Sequence, residues 1–385
     1  MLYHLSEWLN SLGLNIPGLN LMNYLSFRAM LALVISLLIS FFAGGRIIRM
    51  LRRHQIGETI RDLGLEGQMQ KKGTPTMGGI IIIIALTCSA LLVCRLDSIY
   101  TILLLVTTLW CGAIGFTDDY IKVFKHRKEG MSEKGKLVLQ FGLGLFVALA
   151  VCISPDIHTE NLVTTIPFVK AHEFDYSWLS PFKGQFGVYC SWGIYMTMII
   201  LVILACSNGA NLTDGMDGLS AGTSAIVGVA IGVMAWLGGD AIDARYLGIM
   251  YMPGSGEVAI YMSAFVGALI GFLWYNTFPA QVFMGDTGSL TIGGVIGVSA
   301  VLIRKELLLP LLCGIFLAES LSVIIQRGWF KYTKRKYGEG RRVFLMAPLH
   351  HHYQKKGIPE PRIVTRFWII GILLAVSTLA LLKIR

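Results

Sequence analysis

Three stretches of the chain set carboxylates beside glycines: Gly115-Phe-Thr-Asp-Asp-Tyr, Asn211-Leu-Thr-Asp-Gly-Met-Asp-Gly and Phe283-Met-Gly-Asp-Thr-Gly-Ser. Glycine lets backbone approach a ligand closely, and carboxylates and amides supply hard oxygen donors. Asp118, Asp119, Asp214, Asp217 and Asp286, with Asn211 and Asn276, therefore suit a Mg²⁺ ion shared with a diphosphate, because Mg²⁺ keeps several waters and completes its shell with substrate phosphates. Zn²⁺ fits poorly: His350, His351 and His352 are adjacent instead of spaced along a helix face, and no thiols accompany them. Lys71, Lys72, Lys122 and Lys125 occupy the same inter-helix segments. Cations among carboxylates suit phosphoryl transfer, where positioning and charge neutralisation supply most of the catalysis.

Each group has a plainer reading when taken singly. Asp118 and Asp119 could simply end a helix, Asp214 and Asp217 could be the N-terminal acids of the next one, and a histidine run is usually a solvated loop. What favours a site is convergence, and convergence depends on the elements that carry these residues.

Those elements lie in a membrane. Of 385 residues 54% are hydrophobic and only 15% charged, with mean hydropathy +0.64, which excludes a disordered chain, a cytosolic enzyme with one core and a receptor that is mostly ectodomain. Apolar runs long enough to span a bilayer occur at about 24–45, 77–94, 99–117, 137–153, 186–206, 219–238, 258–275, 288–303, 307–325 and 363–382, which predicts ten spans. The eighth holds Gly293, Gly294 and Gly297 and the ninth Pro310 and Glu319, so both are candidates for broken or tilted helices. Segments 46–76, 118–136, 207–218, 276–287 and 326–362 carry 23 of the 33 Lys and Arg, so they are assigned to the cytoplasm and both termini to the external side. The net charge of +10 is thereby referred to a membrane face, with no nucleic acid as partner. No basic region precedes the first run, which reads as a retained anchor.

With this orientation every acid, amide and histidine named above falls on the cytoplasmic face. A transporter would place ionisable groups near the midplane. Here Glu319 is the one acid well inside a run, expected to pair locally at a helix break more than to line a groove. A cluster where membrane meets cytosol suits an enzyme that joins a soluble substrate to a lipid. Five of the seven cysteines read as small buried hydrophobes of the apolar runs, and only Cys152 and Cys190, near the run ends that flank the external 154–185 segment, have positions compatible with a disulfide. The glycosylation-like Asn211-Leu-Thr falls on the wrong side of the membrane and is set aside.

Five motifs together, Lys71-Lys-Gly-Thr-Pro-Thr-Met-Gly-Gly, Phe116-Thr-Asp-Asp-Tyr, Asn211-Leu-Thr-Asp-Gly-Met-Asp-Gly-Leu, Tyr275-Asn-Thr-Phe-Pro-Ala-Gln-Val-Phe-Met-Gly-Asp and Ala347-Pro-Leu-His-His-His-Tyr, resemble the phospho-N-acetylmuramoyl-pentapeptide transferases of peptidoglycan synthesis, from about residue 24 to the C-terminus. The acidic motifs also occur in sister polyprenyl-phosphate transferases that use UDP-N-acetylglucosamine; the Thr-Pro-Thr-Met-Gly-Gly and Pro-Leu-His-His-His-Tyr segments point to the muramoyl branch. The resemblance implies a single all-α transferase domain over 1–385, with about ten spans, periplasmic termini and a cytoplasmic-face site in the bacterial inner membrane. It implies transfer of phospho-N-acetylmuramoyl-pentapeptide from UDP-MurNAc-pentapeptide to undecaprenyl phosphate with Mg²⁺, giving lipid I and UMP. By motif position Asp286 would be the metal ligand, Asp118 and Asp119 the catalytic acids and Lys71 a phosphate contact. Asn211, Asp214 and Asp217 would line the nucleotide pocket with Phe283 on uracil, and Thr76, Asn276, His350, His351 and His352 would surround diphosphate and sugar. The external segment 154–185 and the basic stretch 331–342, within the cytoplasmic loop 326–362 that carries the histidines, look long for the family; the second has the composition of a surface helix near anionic lipid. Oligomeric state, a homodimer included, is open at this stage.

Overall fold

The computed structural model describes residues 1–13, 18–54, 73–125, 127, 129–154, 157, 162–166 and 173–383. In chain order the helices are α1 (Leu2–Ser11), α2 (Leu25–Arg53), α3 (Gly79–Val93), α4 (Ile99–Phe124), α5 (Glu133–Ile153), α6 (Gly184–Thr213), α7 (Leu219–Gly239), α8 (Ala241–Leu247), α9 (Gly256–Asn276), α10 (Gly285–Leu302), α11 (Leu309–Leu312), α12 (Gly314–Tyr337), α13 (Leu349–Lys355) and α14 (Glu360–Leu381). Among the described residues, eight of these are long and apolar enough to cross a bilayer: α2, α4, α5, α6, α7, α9, α10 and α14. The ninth expected span is broken, the turn Glu306–Leu312 meeting α12 at 76° across Cys313, three residues past Pro310. The second expected span is the shorter apolar α3, so all ten runs appear as helix.

The expectation of a break in the glycine-rich eighth run is corrected: α10 is one continuous helix. Its glycines serve close packing. A Cβ at Gly293 would lie 2.2 Å from the Cys206 carbonyl oxygen and one at Gly294 2.6 Å from Cys111 Sγ, so neither α6 nor α4 could approach a larger residue there. Of the α10 span 89% is buried, against 28% for α2 and 33% for α5, α6 and α14, which makes α10 the axis of the bundle. Its modest hydropathy follows, because protein and not lipid surrounds it.

One buried ion pair crosses the bundle. Arg28 of α2 bonds Glu257 of α9 at 2.7 Å, and the Arg95 backbone N–H donates to the same carboxylate. Both chain ends pack on the face opposite Asp118: the Met1 ammonium donates to the Leu91 carbonyl at the end of α3, and Lys383 Nζ to the Tyr246 carbonyl. On that face too, the all-α expectation meets an exception. Strands β1 (Val163–Thr165) and β2 (Glu173–Asp175) form an antiparallel hairpin docked on the α10–α11 junction, Thr165 N–H and Thr164 Oγ1 both donating to the Arg304 carbonyl at 3.1 Å. Tyr176 Oη, donating to Glu306 at 3.0 Å, completes the dock. All seven cysteines are free thiols, Cys152 and Cys190 included.

Candidate active site

The acids converge because α3, α4 and α10 meet through glycines. A Cβ on Gly115 would sit 2.2 Å from the Asp286 carbonyl oxygen, and one on Gly79 would sit 2.1 Å from the Gly288 nitrogen. The last turns of α4 therefore lie against the first turn of α10, and carboxylate oxygens of Asp118, Asp119 and Asp286 fall within 4.8 Å of one another. Asp119 accepts the first free N–H groups of α10, from Asp286 at 3.2 Å and Thr287 at 2.9 Å, plus the Thr287 hydroxyl at 2.6 Å. A carboxylate at that position complements the positive end of the helix. The chain turns into α10 at Gly285, φ +74°, where a Cβ would come 2.6 Å from Asp119 Oδ2.

Two ammonium groups neutralise the remaining pair. Lys122, one turn after Asp118 on α4, lies 2.7 Å from Asp118 Oδ2 and 3.3 Å from Asp286 Oδ2. Lys136, on the first turn of α5, reaches Asp118 Oδ1 at 2.9 Å and Asp286 Oδ2 at 2.5 Å. Without such cations, two unit charges about 4 Å apart would repel by about 4 kcal/mol at an effective dielectric near 20. The other Asp286 oxygen accepts from Asn211 Nδ2 at 3.0 Å, and that amide also donates to Ser289 Oγ.

The other expected residues divide by what they touch. Thr76 and Phe283 belong to a two-stranded zipper in which Phe283 N–H donates to the Pro75 carbonyl, Gly78 N–H to the Phe283 carbonyl and Gly79 N–H to the Met284 carbonyl, each at 2.8 Å. Thr-Pro-Thr-Met-Gly-Gly is thus sewn onto the acidic Phe283-Met-Gly-Asp turn; Lys71, the first residue of its motif, lies outside the described residues. Asp214 caps the C-terminal end of α6, half-buried. Asp217 and Asn276 are buried and occupied by backbone: Asp217 Oδ2 accepts from Ala280 N–H, while Asn276 accepts from Gly218 N–H and donates to the Val282 carbonyl. Both hold the rim segments in place.

The histidines face different ways. His350 is fully buried, Nδ1 3.1 Å from Glu319 Oε2 and Nε2 pressed on Gly215, where a Cβ would come within 2.1 Å. Glu319 so ties α12 to α13, and the His350 ring packs α13 on the segment after α6. His351 and His352 are half-buried, the first bonded to Gln354 Oε1 and the second accepting the Leu345 N–H on Nδ1 at 3.1 Å. Burial and its neighbour Lys356 hold the His352 imidazole below its ordinary pKa, consistent with a neutral ring whose Nδ1 accepts.

Lys136 escaped the sequence reading, which used it only as a topological charge, because nothing in its 18-residue separation from Asp118 signals contact. Lys122 was legible: i,i+4 from Asp118, it shares a helix face with it. As a cation site the donor set is all carboxylate oxygen, suited to a hard divalent ion; Asp118 and Asp286 carry lysine ammonium groups that a cation's charge can replace, whereas Asp119 is held by the α10 backbone.

Comparison with known proteins agrees. A model described as glycosyl transferase family 4 matches residues 101–304, which contain all three acids, and a phospho-N-acetylmuramoyl-pentapeptide-transferase signature matches 71–83. Proteins named phospho-N-acetylmuramoyl-pentapeptide-transferase from Parabacteroides distasonis and Flavobacterium psychrophilum are each 53% identical, and one from Bacteroides thetaiotaomicron 47%, over the whole of both chains. With that identity end to end, and the acidic cluster inside the matched region, the chain belongs to the phospho-N-acetylmuramoyl-pentapeptide transferase family.

Proposed function

We propose that this protein transfers phospho-N-acetylmuramoyl-pentapeptide from UDP-MurNAc-pentapeptide to undecaprenyl phosphate, releasing UMP and forming lipid I at the cytoplasmic face of the inner membrane. The observation that carries the reading is the Asp118, Asp119 and Asp286 cluster with Lys122 and Lys136 across it, in a chain about half identical throughout to proteins bearing that name. The acceptor phosphate is a monoester with second pKa about 6, already mostly dianionic at neutral pH, so bringing two anions together is the harder task. An oxygen of that phosphate attacks the β-phosphorus of the nucleotide; the bond from the β-phosphorus to the bridging oxygen breaks, and UMP leaves with that oxygen.

Mg²⁺, held by Asp286 with Asp118, would neutralise phosphate charge. Lys122 and Lys136, beside the acids, are placed to neutralise the phosphates, with Lys71 a third contact. Asp118 orients the nucleophile. Asp119 holds the α10 N-terminus in register, a positioning role. Asn211 fixes the Asp286 rotamer, and Phe283, Asp214, His351 and His352 offer rim surface for nucleotide and sugar.

The test is UMP release by purified protein given both substrates, with and without Mg²⁺, wild type beside Asp286→Ala. Mg²⁺-dependent release abolished by the substitution supports the reading; release only with UDP-N-acetylglucosamine would move the protein to the sister reaction. UMP exchange into the nucleotide substrate without lipid phosphate would indicate a covalent aspartyl-phosphate step instead of direct attack.

A further inference from the structure

The cytosolic end of α12 carries a charge excess that the active site does not use. Between residues 327 and 342 lie seven exposed Lys and Arg against one acid, Glu339, and none of the seven forms an ion pair among the described residues. They are interleaved with exposed aromatics, Trp329 and Tyr332 among them. Lys336 Nζ sits 5.2 Å from the Tyr337 ring centre and Arg341 5.0 Å from the same ring, so these two cations lie over a ring face and remain unneutralised. Lys331, Lys334 and Arg335 with Tyr332 frame an open concavity of about 540 Å³. One to two turns earlier the same helix exposes Leu321, Ile324 and Ile325, at 43–64% of their surface.

Apolar surface, then aromatic rings, then lysines along one helix is the order of a bilayer read from tails through interface to headgroups. We propose that the basic end of α12 is a docking site for the phosphate headgroups of anionic phospholipid in the surrounding membrane. The flanking apolar and aromatic surface selects a lipid over a soluble anion, since only a lipid brings the phosphate to that depth. The site is wired to the histidines. Thr333 Oγ1 accepts the Arg341 N–H, Gln326 Oε1 accepts the Val343 and Phe344 N–H groups, and Leu345 N–H binds His352, so lipid held by α12 orders the segment leading to α13.

The test uses the full chain in neutral detergent with neither substrate present, its thermal midpoint followed as phosphatidylglycerol or phosphatidylcholine is added. The wild type is expected to gain roughly 3 °C or more with the anionic lipid only, with added salt reducing the gain. The variant Lys331→Gln/Lys334→Gln/Arg335→Gln is expected to lose most of it. An undiminished gain in the variant, an equal gain with phosphatidylcholine, or saturation by inorganic phosphate alone would overturn the proposal. Should the triple variant not fold, energy transfer from tryptophan to dansyl-labelled lipid in the wild type decides: greater transfer to the anionic lipid, lost in Trp329→Phe, supports the site, and no preference refutes it.

Discussion

Lys122 and Lys136 each hold Asp118 and Asp286 at once, and this double engagement governs how the site meets a divalent ion. The ammonium groups and the ion compete for the same oxygens. Replacing both lysines by glutamine should therefore tighten Mn²⁺ binding, measured by electron paramagnetic resonance, while UMP release falls by about 10²-fold or more because phosphate charge is left uncompensated. Unchanged or weaker Mn²⁺ binding would contradict the competition. At His352 the sign with pH is set by its lowered pKa. The neutral ring accepts the Leu345 N–H, so the folded loop is favoured above the reference value of 6.5 and that contribution is lost as pH falls below it, when the unfolded chain binds the proton first. Protection of the Leu345 amide, its exchange rate referred to the base-catalysed intrinsic rate at each pH, should fall on acidification, and His352→Gln should remove that dependence. Asp286 and the Asp118–Asp119 pair were legible from residue type and neighbouring glycines. That Asp119, Asp217 and Asn276 spend their oxygens on backbone was not, since a side chain's partner is a property of the fold.

At the scale of elements, glycine decides which helices meet. Gly115→Ala would push a methyl to 2.2 Å from the Asp286 carbonyl oxygen, a backbone atom that cannot step aside, so the α4–α10 contact must open. The expected cost is about 1–3 kcal/mol of stability, seen as a lower thermal midpoint together with lost activity as Asp119 leaves the α10 N-terminus. Gly328→Ala in α12 meets nothing within 4 Å and should instead stabilise by up to about 1 kcal/mol through helix propensity. An equal drop in both variants would show that propensity and not packing governs these helices. A break in the ninth run could be anticipated from Pro310, but its place could not: the bend falls at Cys313, while the proline sits in the first turn of α11, where its missing donor costs no helical bond. The continuity of α10 could not, because glycine weakens a helix and admits a close neighbour with the same residue, and only the neighbour's presence chooses between them.

For the whole molecule, the buried Arg28–Glu257 pair joins α2 to α9 on the face opposite the acids, far from any chemistry. Arg28→Met leaves Glu257 buried with, among the described residues, the Arg95 backbone bond alone and should cost about 3–5 kcal/mol, whereas adding Glu257→Gln should restore part of it. A double-mutant cycle in thermal stability gives the coupling, and a value near zero would make the pair incidental. A polytopic helical bundle, its ten apolar segments, a one-sided acidic face and the family are all legible in the order of residues. These follow from local quantities: run length against bilayer thickness, charge counts between runs, and motifs short enough to read directly. Tertiary structure alone decided that α10 is the axis, that a β-hairpin caps the opposite face, that Lys136 joins the acids and that His350 turns inward to Glu319. Those facts join residues far apart in the chain, and hydrophobic patterning, which tells a helix which side to bury, does not tell it against which partner.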